Sequence, residues 1–192
     1  MVLREVDAKE WHAANESATR ATRPGTWHPC VMAATVPKDL DFADDAPVIA
    51  ERVGVVSATP KEVWDVLCDH ESWVRWFPKV KGCVATSDPG SGVGSTRDVT
   101  LPGGITISER FIAWEEPRVW AFTATALPAP VESLVECITL RPLDDNRTEV
   151  TYRMAFGPRR PFTPLMKLAS GSMGKNLEQA LRQLEVEVAS RR

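Results

Sequence analysis

PKEVWDVLCDHESWVRWFP, residues 60–78, gathers three of the chain's seven tryptophans, a Phe-Pro step and a helix start into one short run. Thr59 precedes it as a candidate N-cap, Pro60 suits the first helical position, and Glu62 lies three residues after the cap, the spacing of a capping box. Val63, Trp64, Leu67 and Cys68 then mark one apolar helix face. The spacing predicts a helix from residue 60, and a second, shorter one from about His70 to Trp76 that ends before Pro78. Trp64 belongs to the apolar stripe and reads as core. Trp73, Trp76 and Phe77 lie at the second helix and its exit.

Upstream, VIAERVGVVSA (48–58) is rich in β-branched residues and reads as a strand. Downstream, candidate strands at 80–87, 95–101, 105–114, 118–126, 132–141 and 147–156 are separated by DPGSGVG, PGG, EEPR, LPAP and LDDN. Such short connectors, rich in turn-forming residues, imply an antiparallel meander. After Pro161 and Pro164, residues 165–188 read as one long helix, with Leu165, Leu168, Ala169, Met173, Leu177, Ala180, Leu181, Leu184 and Val188 on its apolar face. Residues 1–45 differ in texture. They carry only isolated Trp11, Trp27 and Phe42, and form an N-terminal extension, expected to be partly ordered, to a domain spanning 46–192. Within it, residues 5–20 can form a short polar helix that Arg23-Pro24-Gly25 would end.

The order of strand, two helices, six strands and long helix, with Pro-x-x-Val-Trp-x-x-Leu-x-Asp at 60–69 and Trp73-x-x-Trp76-Phe77-Pro78, resembles the START-like (SRPBCC) superfamily, nearest its polyketide cyclase/dehydrase and lipid-transport branch. The resemblance covers about 46–190. It implies an α+β helix-grip fold: a seven-stranded antiparallel sheet curled around the long C-terminal helix, with a deep cavity between them. It also implies a hydrophobic ligand, in members that range from carriers and sensors to aromatase/cyclases and hydroxylase subunits. On this resemblance Trp73, Trp76 and Phe77 would stand at the cavity mouth, with Trp76 and Phe77 as ligand contacts.

Pairing arithmetic identifies the inward side chains. With PGG as a three-residue hairpin loop, Leu101 faces Ile105, Val99 faces Ile107 and Arg97 faces Glu109, all on the aliphatic side of the sheet. Phe111 continues that face. Trp120, Phe122 and Ala124 follow on the next strand, then Leu134, Glu136, Ile138 and Leu140, then Val150, Tyr152, Met154 and Phe156. Met173 and Leu177 would close the cavity from the helix. The expected ligand contacts are therefore apolar and aromatic, with Arg97, Glu109, Glu136 and Tyr152 fixing orientation. Burial requires Glu109 to be paired with Arg97 or protonated, and Glu136 near Trp120 to have a raised pKa. Such a carboxyl can act as a general acid or base, which makes Glu136 and Tyr152 the candidate catalytic residues. The same inward charges serve equally as ligand-orienting or structural groups, and a one-residue register slip would place both glutamates in solvent.

Other signals point to less. At 192 residues and 43% hydrophobic, the chain can bury roughly 70% of its unfolded surface. A formal charge of −3, from 23 Lys and Arg against 26 Asp and Glu, offers no basic field for nucleic acid. The N-terminus lacks a secretory h-region and no apolar run spans a membrane, so the expected location is cytoplasmic, with no integral membrane segment. Cys30, Cys68, Cys83 and Cys137 read as reduced, mostly buried thiols. GSGVGS (90–95) is a hairpin loop rather than a phosphate cradle. His12, His28 and His70 lack metal spacing, and the pattern of a Rieske centre is absent, so neither metal nor cofactor is expected. In Ser170-Gly171-Ser172, Gly171, like Gly174 beyond it, would permit a close approach or a bend. GPRRP (157–161) reads as a solvated loop, with membrane docking as its alternative. Three functions remain: a module enclosing a small hydrophobic molecule (lipid, polyketide or aromatic metabolite), a polyketide aromatase/cyclase, or a chaperone-activator-like interaction protein with a filled cavity. The sequence is compatible with a monomer or a homodimer.

Overall fold

A computed structural model describes Met32–Ala33 and residues 35–192. The Thr59 cap behaves as its sequence dictates. Its hydroxyl accepts from Glu62 N at 3.3 Å, the Glu62 carboxylate accepts from Thr59 N at 2.8 Å, and the helix runs Pro60–Cys68. Asp69 then starts a 3-10 turn, His70–Ser72, that leads directly into the short helix Trp73–Trp76. With the helix Phe42–Asp45 before them and Thr163–Ala189 after the last strand, the α-helices are α1 (Phe42–Asp45), α2 (Pro60–Cys68), α3 (Trp73–Trp76) and α4 (Thr163–Ala189).

The strands are β1 (Met32–Ala33), β2 (Val48–Val56), β3 (Gly82–Ala85), β4 (Thr96–Leu101), β5 (Ile105–Glu115), β6 (Val119–Pro128), β7 (Val131–Asp144) and β8 (Arg147–Pro158). Seven of them form an antiparallel sheet in the order β2-β8-β7-β6-β5-β4-β3. With the long C-terminal helix and the short helices after β2, this is the expected helix-grip fold. The β4–β5 register pairs Leu101 with Ile105, Val99 with Ile107 and Arg97 with Glu109. Gly103 (φ 81°) and Gly104 (φ 75°) take left-handed conformations in the loop between them, which explains the PGG turn. A bulge within Phe111–Ala113 resets the alternation of β5, so that Phe111 pairs with Phe122 and Trp114 with Trp120.

The concave face carries the main core. Trp64 is buried there, edge-on to Trp114 at 5.8 Å, as its place on the α2 stripe predicts. The grip of α4 is tightest in its C-terminal two-thirds, where Leu177, Ala180, Leu181, Leu184 and Val188 are buried. Gly54 of β2 permits this approach, since a Cβ there would stand 3.2 Å from Leu181 Cδ1. The first turns of α4 do not follow the expected apolar face: Leu165 is 62% and Leu168 83% exposed. The inward position of these turns belongs to Met166, which packs against the cluster of Val48, Ala124, Leu127, Leu134 and Phe156, while Leu165 and Leu168 point off that face. The two glycines also differ. A Cβ on Gly174 would meet only the mobile end of the Arg52 side chain, its guanidinium, whereas one on Gly171 would have nothing within 4 Å.

On the convex face, α1 places Ala43 against Val135 and Ala155. The strand-like stretch before it is held by Val36 N donating to Glu132 O (2.7 Å), Lys38 N to Thr123 Oγ1 (2.9 Å) and Ser133 Oγ to Val36 O (2.8 Å). This part of the N-terminal extension thus lies outside the sheet, while β1 pairs with the end of β6 at Leu127 and Pro128. The expected helix over 5–20, its stop at 23–25, and Trp11, His12, Trp27, His28 and Cys30 lie outside the described residues.

Candidate functional site

Between the concave face of β4–β8 and the segment Trp73–Val80 lies a cavity of about 230 Å³. Aliphatic and aromatic groups build most of its wall. Phe77 and Val80 come from the α3 exit, Val99 and Leu101 from β4, and Ile107 from β5. Phe122 and Leu127 come from β6, Leu134 from β7, and Met154 and Phe156 from β8. The polar side chains of the wall are Trp73, Arg97, Glu109 and Glu136.

Of the expected ligand contacts, Phe77, Arg97, Val99, Glu109, Phe122, Glu136 and Met154 stand in this wall. Trp76, Phe111, Trp120, Ile138, Tyr152 and Leu177 are buried in the core behind it, and Met173 packs on that core from α4. The helix contributes no wall residue; Met166 and Met173 instead pack behind the wall, on the cluster that includes Leu127, Leu134 and Phe156. Trp76 is likewise buried, its ring 4.4 Å from that of Trp73, so Trp73 and Phe77 alone of that group face the cavity. Leu127, Pro128 and Val131 were missed. Leu127 and Pro128 begin the LPAP turn and Val131 follows it, where composition signals a reversal and gives no sign that the turn leans over a cavity.

Arg97 is fully buried and donates through Nε to Glu109 Oε2 at 2.6 Å. Its guanidinium carbon stands 4.0 Å from the Trp73 ring centroid, 4.7 Å from those of Trp120 and Phe122, and 5.4 Å from that of Phe111. Among the described residues Nη1 and Nη2 have no hydrogen-bond partner, and these π faces stabilise the cation. Trp73 and Trp120 stack at 5.2 Å, and Trp73 Nε1 donates to Leu67 O at 3.0 Å. The opening aromatic run therefore does two jobs: Trp64 packs α2, and Trp73 holds an arginine in place.

Glu136 accepts a short hydrogen bond from the Tyr152 hydroxyl. Burial, and next the neighbouring Glu109 carboxylate, push the Glu136 pKa up to about 8, against the pull of Tyr152 and Arg97. The shift favours the protonated form of Glu136. Burial also lifts Glu109, opposed by Arg97, and drives Tyr152 well above its ordinary value. Tyr152, a candidate catalytic residue, is fully buried, lines no part of the cavity wall and bonds to Glu136, which does.

Cys68, Cys83 and Cys137 are free thiols whose pKa values burial raises to about 12, 11 and 11, leaving them protonated and unreactive. His70 Nε2 lies 3.0 Å from Gly90 O, which ties the 90–95 loop to the 3-10 turn. Among the described residues no cluster of three His, Cys, Asp or Glu side chains could hold a metal, and no helix is long and apolar enough to cross a membrane.

The family described as polyketide cyclase/dehydrase and lipid transport matches residues 47–189. The chain belongs to this family. Uncharacterised proteins of Mycobacterium tuberculosis and Mycobacterium bovis are 30% identical over 148 residues, covering 73% of this chain and 88% of each relative. Among solved structures, the Zhui aromatase/cyclase of Streptomyces sp. R1128 superimposes with a TM-score of 0.62 at 20% identity, over 74% of this chain and 94% of that one. A START superfamily protein of Mycobacterium smegmatis gives 0.61 at 18% identity, over 75% and 99%. These structural likenesses establish a shared fold. The cavity and its polar end belong to this member's own residues.

Proposed function

We propose that the protein binds a small apolar molecule, such as an aromatic metabolite, polyketide or lipid, in the cavity beneath the concave sheet. One observation carries the reading: the cavity is open, its wall is almost wholly apolar, and its few polar groups converge at one end, as in small-molecule sites. Affinity arises from apolar area removed from water, with the polar end fixing orientation. At about 230 Å³ the cavity is below the usual range for drug-sized ligands, roughly 300–1,000 Å³, which favours a ligand of one or two rings over a long acyl chain. An open cavity weighs against the interaction-protein reading, which needs a filled one. The test is a titration with apolar aromatic molecules followed by tryptophan fluorescence, since Trp73 stands in the wall. Saturable quenching that Ile107→Trp abolishes by filling the cavity is expected; no uptake by the unmodified protein would refute the reading.

A specific observation supports a second reading, aromatase/cyclase chemistry. Glu136 combines a proton held up to about pH 8 with a hydrogen-bonded tyrosine and a place in the cavity wall, the properties of a group that passes a proton to or from a carbonyl substrate. Once a substrate is in hand, a large fall in kcat for Glu136→Gln at unchanged affinity would favour catalysis. Equal turnover would remove Glu136 from the chemistry.

A further inference from the structure

The polar end of the cavity is unevenly equipped. Apart from a proton on Glu136, every donor in its wall is engaged or sealed among the described residues: Trp73 Nε1 is committed to Leu67 O, Arg97 Nε to Glu109, and the two Nη atoms lie buried among aromatic rings. Arg97 has no exposed surface, whereas Glu109 and Glu136 are 4% and 5% exposed, and both stand in the wall. Each glutamate spends one oxygen, Oε2, on its protein partner. The Oε1 atom of each makes no hydrogen bond among the described residues. Two unengaged carboxyl oxygens thus close the end of an otherwise apolar cavity.

Charge narrows the ligand further. Arg97 is balanced by Glu109 at 2.6 Å, so the end of the cavity holds no surplus positive charge. A ligand carboxylate seated there would be a buried, uncompensated anion facing carboxyl groups, a costly arrangement whether Glu136 is protonated or ionised. A plain hydrocarbon would strip both Oε1 atoms of water and give nothing in return. A hydroxyl avoids both penalties, since it donates to the Glu109 carboxylate and can accept from the Glu136 acid.

Resting on the proposed binding function, we infer that this cavity selects neutral aromatic ligands bearing a buried hydroxyl, phenol or alcohol, and discriminates against their carboxylate counterparts through Glu109 and Glu136. The specificity is local to these two side chains and separable from the apolar wall that supplies affinity.

The experiment compares three probes of one ring system, 2-naphthol, naphthalene and 2-naphthoate, by fluorescence titration at pH 7 with the full chain. The expected order is naphthol first, by roughly tenfold over naphthalene, with naphthoate weakest. In Glu136→Leu/Tyr152→Phe, which removes both members of that hydrogen-bonded pair together, the ratio of naphthol to naphthalene affinity should shrink severalfold, because only Glu109 is left to pair the hydroxyl and naphthalene no longer strips Glu136 of water. Equal binding of all three probes, or naphthoate binding best through Arg97, would overturn the inference and leave the binding function standing. No binding of any probe would overturn both.

Discussion

Replacing Arg97 with Met leaves Glu109 buried without its counter-charge. Arg97 is fully buried, the Glu109 side chain is 5% exposed, and their atoms meet at 2.6 Å. Two unit charges about 4 Å apart attract by ~4 kcal/mol at an effective dielectric near 20, and removing one partner of a buried pair costs about 3–5 kcal/mol. In a chain of this size that corresponds to a fall in Tm of roughly 10 °C. The cost has a pH signature. An unpaired, buried Glu109 has its pKa raised above the unfolded value, so the native state holds a proton that the unfolded chain releases, and the variant should lose more stability at pH 8 than at pH 5. Arg97→Met/Glu109→Leu removes both charges and should regain most of the loss. Urea denaturation followed by circular dichroism at both pH values measures all of this. A single substitution costing under about 1 kcal/mol at both pH values, with no recovery in the double variant, would refute the reasoning that the pair is dry and mutually dependent.

Further expectations follow from other parts of the molecule. With Glu136 lifted from an ordinary 4.5 to about 8, the native state retains its proton across that window, so global stability should fall as pH rises through it and level off above it; Glu136→Gln should flatten the slope in denaturation series taken at several pH values. Tyr152→Phe removes the hydrogen bond that holds the Glu136 pKa down, so that pKa should rise further in a carboxyl NMR titration, with a stability loss of about 1–3 kcal/mol from the orphaned oxygen. Along α4, Leu177→Ala should cost about 2–5 kcal/mol, whereas the exposed Leu168→Ser should stay within about 0.5 kcal/mol by chemical denaturation. Thr59→Ala should cost about 1 kcal/mol through loss of the capping box that starts α2.

The parts of this fold that sequence revealed are those that local chemistry dictates. Thr59-Pro60-x-Glu62 can be read as a helix start because cap, proline and carboxylate act within one turn. The Arg97–Glu109 pairing can be read because Pro102-Gly103-Gly104 sets the hairpin length, and strand alternation carries the register outward from it. What sequence obscured depends on contacts distant along the chain. Alternation places Tyr152, Ile138 and Trp120 on the cavity side of the sheet, yet the rings packed around Arg97 occupy that space, and the open volume lies further along, toward Leu127 and Val131. The bulge at Phe111–Ala113 brings Trp114 to the same side as Phe111, an exception that strict period-two reading cannot supply. Leu165 and Leu168 are apolar but lie off the Leu177 stripe: at about 100° per residue Leu168 falls on the opposite side of α4, and Met166 takes the inward position of that turn.

Native mass spectrometry of the freshly purified protein, followed by organic extraction of whatever denaturation releases, tests the central claim most directly. The account predicts a discrete added mass, lost on denaturation, belonging to a small neutral aromatic or polyketide-like molecule, or the uptake of such a mass from a mixed aromatic and lipid library. A clean unliganded mass that takes up nothing from the library, with Ile107→Trp behaving identically, would contradict it.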